Sequence, residues 1–172
     1  MTKLDEKLLP SMLRALTVDT VIEDSDRAML EASADYIQHL QSKPRREKLP
    51  TDRKSITHKF TVNTHKGYMT VGLYEDGRPG ELFITMAKEG STVGGLMDAI
   101  GILTSIALQS GVPLIDLVRK FRGTTFEPMG PTMNKQIPVA SSVVDYVFTW
   151  MGLEFCPEFA EEYRKLLEVR EG

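Results

Sequence analysis

The chain has 172 residues, a formal net charge of −3, and 41% hydrophobic against 26% charged residues. That is the balance of one globular domain, and it excludes a global electrostatic pull toward nucleic acid or anionic membrane. The single cysteine, Cys156, rules out an intrachain disulfide and points to a reducing, cytoplasmic setting.

The N-terminus carries Asp5 and Glu6 and no long uncharged run, so it does not read as a secretory signal. Residues 1–42 read as a helical segment. Pro10 opens a short helix running to about Leu16, since proline is tolerated in a first helical turn. A second helix starts near Asp24 or Ser25, either of which can cap it. Met29, Leu30, Tyr36, Ile37 and Leu40 give it one apolar face, and Pro44 stops it before Lys43. Residues 43–54 read as a linker with six basic and two acidic residues, a local balance of +4. A solvated hinge is the plainer reading. A docking strip is the functional one, without the interleaved aromatics that single-stranded nucleic acid would need.

From Ile56 the hydrophobic period changes to two. Ile56, His58, Phe60 and Val62 share one strand face, and Met69, Val71 and Leu73 share the next. Asp76-Gly77 and Pro79-Gly80 mark a turn before a third strand, ELFITMA. The three predict an antiparallel meander. Helices are then expected to the end. Ser91 or Thr92 caps a long one with Leu96, Ile100, Leu103 and Ala107 on its stripe. The span Val93 to Val112 contains Asp98, Gln109 and several small polar breaks, so it reads as a buried helix, not a membrane span. Gly111 ends it. Pro113 begins a second helix stopped by Gly123, residues 123–137 read as a loop, Val139 to Met151 as a third helix closed by Gly152, and Pro157 opens the last. The expected fold is α+β: a small three-stranded antiparallel meander packed on a cluster of helices, with an N-terminal helical extension. The expected domains are a helical segment 1–42, a basic linker 43–54 and an α+β body 55–172.

Three kinds of chemistry can be weighed from the residues. His58, His65, Cys156, Asp145 and Glu158 are potential metal ligands, but no His or Cys pair has the tight spacing of a structural zinc site, so no metal is expected. Ser141 and Ser142 precede Asp145, yet the glycine-flanked turn of a hydrolase nucleophile is missing. The remaining idea is an anion pocket. Lys88, Gly90, Ser91 and Thr92 stand at a helix start, where free N–H groups and the helix dipole attract phosphate. Lys120, Arg122, Thr124 and Thr125 form a second polar cluster that serves equally as an ordinary helix C-terminus.

Five segments together carry a resemblance: the basic lead-in ending ITHKF, then GYMTVGLYEDGRPGELFITMAKEGST, GGLMDAIGILTSIALQSGVPL, FRGTTFEPMGP and SSVVDYVFTWMG. In order and spacing, from about Arg45 to Leu153, they resemble the C-terminal TSCPD domain of class II, adenosylcobalamin-dependent ribonucleotide reductases. The resemblance implies a part in making DNA precursors. It also implies a reaction needing one thiyl-radical cysteine and a cysteine pair, three sulfurs where this chain has Cys156 alone. The chain looks like a free-standing relative, unable to catalyse by itself. The expected function is an accessory or split-subunit module, with a large catalytic subunit as partner and adenosylcobalamin held on that partner. The alternative is a stand-alone binder of a nucleotide or related phosphorylated ligand. Trp150, Phe148 and Phe155 offer either core or a homo-oligomer face.

Overall fold

A computed structural model describes residues 10–11, 13–15, 24–42, 46–87 and 92–171. The chain divides into two compact units, residues 1–45 and 46–172. In the first, helix α1 (Asp24–Ser42) buries Ala34, while Met29 and Tyr36 of its expected apolar face are exposed. Arg14 ties residues 13–15 to this helix through Asp35 Oδ1 (2.5 Å) and Gln38 Oε1 (2.9 Å).

The second unit is α+β. Its strands are β1 (Ser55–Val62), β2 (His65–Leu73), β3 (Pro79–Met86), β4 (Gly130–Asn134) and β5 (Ile137–Ala140), and its helices are α2 (Thr92–Gln109), α3 (Leu114–Phe121), α4 (Val143–Phe155) and α5 (Pro157–Glu171). One antiparallel sheet runs β3-β2-β1-β4-β5. The three-stranded meander is present as read. Asn63, at φ 53°, makes the tight β1–β2 turn, and Ile56 faces Val71, His58 faces Met69 and Val71 faces Leu82. The alternation places Phe60, Val62, Met69, Val71, Leu82 and Ile84 inside, packed on the nearly all-apolar α4.

The sheet has two strands more than expected. Residues 130–134 and 137–140, read as loop and helix start, form a hairpin beside β1. Its short strands carry Pro131 and Pro138 and offered no period-two run to detect; Pro138 is tolerated because β5 is an edge strand. Helix α4 consequently starts at Val143 and runs through Gly152, which does not close it. Gly152 instead lets Phe159 and Val118 approach: a Cβ there would lie 2.5 Å from the Phe159 ring and 2.8 Å from Val118.

Helix α2 is seated differently from its reading. Its inward residues are Met97, Gly101, Thr104 and Leu108, whereas Leu96 and Leu103 of the expected stripe are 56% and 66% exposed. Both faces are apolar, so periodicity alone could not choose between them, and by length and composition the helix would also pass for a membrane span. The choice is made by β3, whose outer edge has no strand neighbour among the described residues. Ser105 Oγ accepts from Leu82 N–H (2.9 Å) and donates to Gly101 O (2.7 Å), and Gln109 Nε2 donates to Gly80 O (2.9 Å). The helix thereby covers an edge that would otherwise offer unpaired backbone groups.

The segment read as a linker is anchored from Arg46 onward. Arg46 Nε donates to Gln109 Oε1 (2.9 Å), Glu47 N–H to Gln109 O (2.7 Å), Tyr74 Oη to Glu47 O (2.5 Å), and Arg53 pairs with Glu81. Two of its basic side chains are spent on the body of the fold, which leaves less of a free basic strip than the sequence suggested.

Candidate functional site

Of the first expected anion cluster, Lys88, Gly90 and Ser91 lie outside the described residues, and Thr92 opens α2 with an exposed side chain. In the second cluster, Thr124 Oγ1 donates to Phe121 O (2.8 Å), and its carbonyl accepts from Ser142 Oγ (2.7 Å). The Arg122 guanidinium lies over the rings of Tyr163 (5.0 Å) and Phe159 (5.3 Å). Thr125 Oγ1 reaches Gly123 O (3.3 Å), and Lys120 is exposed at the end of α3. Thr124 and Arg122 are thus engaged in closing α3 and holding α5. The sequence offered no way to see this, because the partners are 18 to 41 residues away.

Ser141, Ser142 and Asp145 form a helix cap, not a catalytic array. Ser142 Oγ accepts from Asp145 N–H (3.0 Å), while the Asp145 carboxylate accepts from Ser141 N–H (2.8 Å) and from Gly123 N–H (2.6 Å). The S-x-x-D spacing was the available signal for this reciprocal cap. It also draws Gly123, the left-handed residue after α3 (φ 77°), onto the start of α4.

Cys156 follows α4, half-buried, with its N–H donated to Gly152 O (3.0 Å). Burial pushes its thiol up from the usual range and Glu158 adds to this, with Arg119 opposing. Its thiolate fraction is therefore low. Among the described residues no three His, Cys, Asp or Glu side chains stand together as a metal site. Phe148 and Trp150 are core residues.

The polar feature that the sequence did not reveal is a chain across the sheet. Asn134 Nδ2 donates to Tyr146 Oη (3.2 Å), and the same hydroxyl shares a hydrogen bond with His58 Nε2 (2.9 Å). Tyr146 is 1% exposed. The His58 ring stacks on Trp150 with centroids 4.6 Å apart and lies near-parallel to Tyr146 at 6.1 Å. His58, on the apolar face of β1, is thus satisfied by residues 88 and 92 positions away.

Burial lowers the His58 pKa from 6.5, against a smaller opposing pull from Glu154. The folded ring therefore resists protonation where the unfolded one does not. This contribution is fully present above the ordinary histidine value and is lost as pH falls through it. Urea midpoints should drop more between about pH 7 and about pH 5 for the wild type than for His58→Gln. Equal drops would remove His58 as the source.

Residues 40–155 match the family model described as the TSCPD domain. The chain is 58% identical over 124 residues to a vitamin B12-dependent ribonucleotide reductase of Rhodopirellula baltica, covering 72% of this chain and 12% of that protein. It is 43% identical over 132 residues to the one from Streptantibioticus cattleyicolor (77% and 22%), and 41% identical over 137 residues to the one from Streptomyces coelicolor (80% and 14%). The chain thus spans less than a quarter of the length of these relatives. No solved structure gives a significant match. With more than half its length matched, the chain belongs to the TSCPD domain family.

Proposed function

We propose that this chain is an accessory or split-subunit module of a cobalamin-dependent ribonucleotide reductase system, contributing to the reduction of ribonucleotides to deoxyribonucleotides only alongside a large catalytic subunit. The observation that supports the reading is 58% identity to a small part of a vitamin B12-dependent ribonucleotide reductase in a chain with one sulfhydryl. A radical cysteine plus a reducing pair cannot be drawn from Cys156, which is also held in its protonated form by burial. The chain's part would be contact, in assembly or re-reduction of the partner, within the cytoplasm.

Adenosylcobalamin would reside on the partner. The ring nitrogen His58 Nε2 is shared with Tyr146 and His65 Nδ1 is buried, so these two nitrogens would not be offered to a cofactor. Mixing the purified chain with a large cobalamin-dependent subunit should give co-elution and faster deoxyribonucleotide formation. No co-elution and an unchanged rate would remove the proposal, as would ribonucleotide turnover by this chain alone.

A further inference from the structure

Helix α2 is apolar on both faces, and only one of them is covered by the described residues. Its sole charged residue is Asp98. Met97, Gly101, Thr104 and Leu108 face inward, while on the opposite side Leu96, Ile102, Leu103 and Ile106 are 56%, 60%, 66% and 37% exposed. A helix that is apolar all round belongs in an interior. Phe83 of β3, 52% exposed, adjoins Ile102 across a shared groove and extends the patch. Side chains of this size at these exposures leave on the order of 500 Å² of apolar surface, in the upper part of what the largest patch of a monomer shows (~300–600 Å²).

Area, spacing and symmetry all point to a second copy of the chain as the cover. A standard interface draws roughly 800 Å² from each partner, and in homodimers about 65% of it is apolar, which is the amount this face supplies. Leu96, Ala99, Leu103 and Ile106 follow one another by three, four and three residues. These are the a and d positions of a heptad seam, and Asp98 stands off it. The seam also reads the same from both ends. Reversed about the level of residue 101, Leu96 falls opposite Ile106 and the small Ala99 opposite the large Leu103. Thr92 falls opposite Ser110, both exposed polar residues at the ends of the stripe. Large against small lets two helices interdigitate. A contact in which residue i meets j while j meets i is what a two-fold dimer requires, and a partner of different sequence would have no need of it.

We propose that the chain forms a homodimer through this face, with two copies of α2 lying antiparallel across a two-fold axis at the level of residue 101. Leu96 then packs on the partner subunit's Ile106, and Ala99 on the partner subunit's Leu103. Phe148 and Trp150, the aromatic residues that the sequence offered for self-association, are in the core instead. The dimer forms from this chain alone and does not depend on the reductase reading.

Sedimentation of the full chain should show a concentration-dependent dimer in the micromolar range. Leu103→Glu should weaken it at least about a hundredfold, because each interface then buries two carboxylates without partners. Met133→Glu, at an apolar position 86% exposed on β4, should leave it intact. The far-UV circular dichroism of Leu103→Glu should remain that of the wild type. Cysteines placed in a Cys156→Ser background read the register. Mixed under mild oxidation, Ala99→Cys and Leu103→Cys chains should cross-link to each other and not each to itself. An antiparallel pair brings only the unlike positions within disulfide reach, Cα atoms less than ~7 Å apart. A chain that stays monomeric across the concentration range would overturn the proposal, whether it binds phosphatidylcholine vesicles, pairs only with a different subunit, or is destabilised by Leu103→Glu because another part of the chain covers the face. A dimer that Leu103→Glu leaves intact, or cross-links between like positions, would overturn it equally.

Discussion

Asp145→Ala is expected to lower stability by about 3 kcal/mol or more, because hydrogen bonds to a charged acceptor each contribute roughly 1.5–3 kcal/mol and leave a stranded donor when removed. The carboxylate is 8% exposed and accepts from Gly123 N–H, Ser141 N–H and, at 3.4 Å, Thr149 Oγ1. Two of these are backbone donors from separate segments, so alanine frees both the end of α3 and the turn before α4. The bond from the backbone N–H of residue 145 to Ser142 Oγ does not involve the carboxylate and remains in the alanine variant. Asp145→Asn keeps one acceptor oxygen and should lose less. Urea unfolding followed through Trp150 fluorescence measures this well, since Trp150 is the only tryptophan and sits on the helix that Asp145 starts. A midpoint shift in Asp145→Ala no larger than that of a surface substitution would show that the cap does not hold these segments.

Gly101→Ala and Gly95→Ala should move stability in opposite directions although both lie in α2. At Gly101 an added Cβ would sit 2.8 Å from the Leu82 carbonyl oxygen, a backbone atom of the edge strand. Helix and strand must separate, and the Ser105 bridge to Leu82 lengthens with them. Forced overpacking of this kind costs typically 1–3 kcal/mol, outweighing the roughly 1 kcal/mol that alanine gains over glycine in a helix. At Gly95 nothing lies within 4 Å of the added carbon, so only the helix preference remains and the variant should gain about 0.4–1 kcal/mol. Thermal unfolding of the two variants decides the matter. A stabilised Gly101→Ala would mean that α2 does not press on β3.

Some of this fold was written in short-range pattern. The meander was legible because Ile56, His58, Phe60 and Val62 alternate against polar neighbours and because Asp76-Gly77 can only turn, Gly77 sitting at φ 86°. The limits of α3 were legible for the same reason, with Pro113 before it and a left-handed Gly123 after it. The β4–β5 hairpin was not. Its strands are five and four residues long, too short for a period to emerge through two prolines and a glycine. The seating of α2 was not legible either, since Leu96 and Leu103 are as apolar as Met97 and Leu108. What selects the inner face is the small size of Gly101 and the hydroxyl of Ser105 against a strand edge, neither of which a hydrophobicity pattern weighs. Of the candidate anion clusters, the sequence found the right residue types at helix ends but could not see that Arg122 would be drawn over Tyr163 and Phe159.

The amino-acid sequence by itself determined the α+β class, the family, and a chemical ceiling: with Cys156 as the only sulfhydryl, no internal thiol pair can carry electrons. These follow from local alternation, turn residues and a count, and none requires knowing what is near what. Only the tertiary structure decided which face of α2 is inside, what Asp145 accepts from, and that His58, Asn134 and Tyr146 share one hydrogen-bonded chain. Each of these is a pairing between residues far apart along the chain, fixed by strand register and helix packing, and no local pattern in the sequence records it.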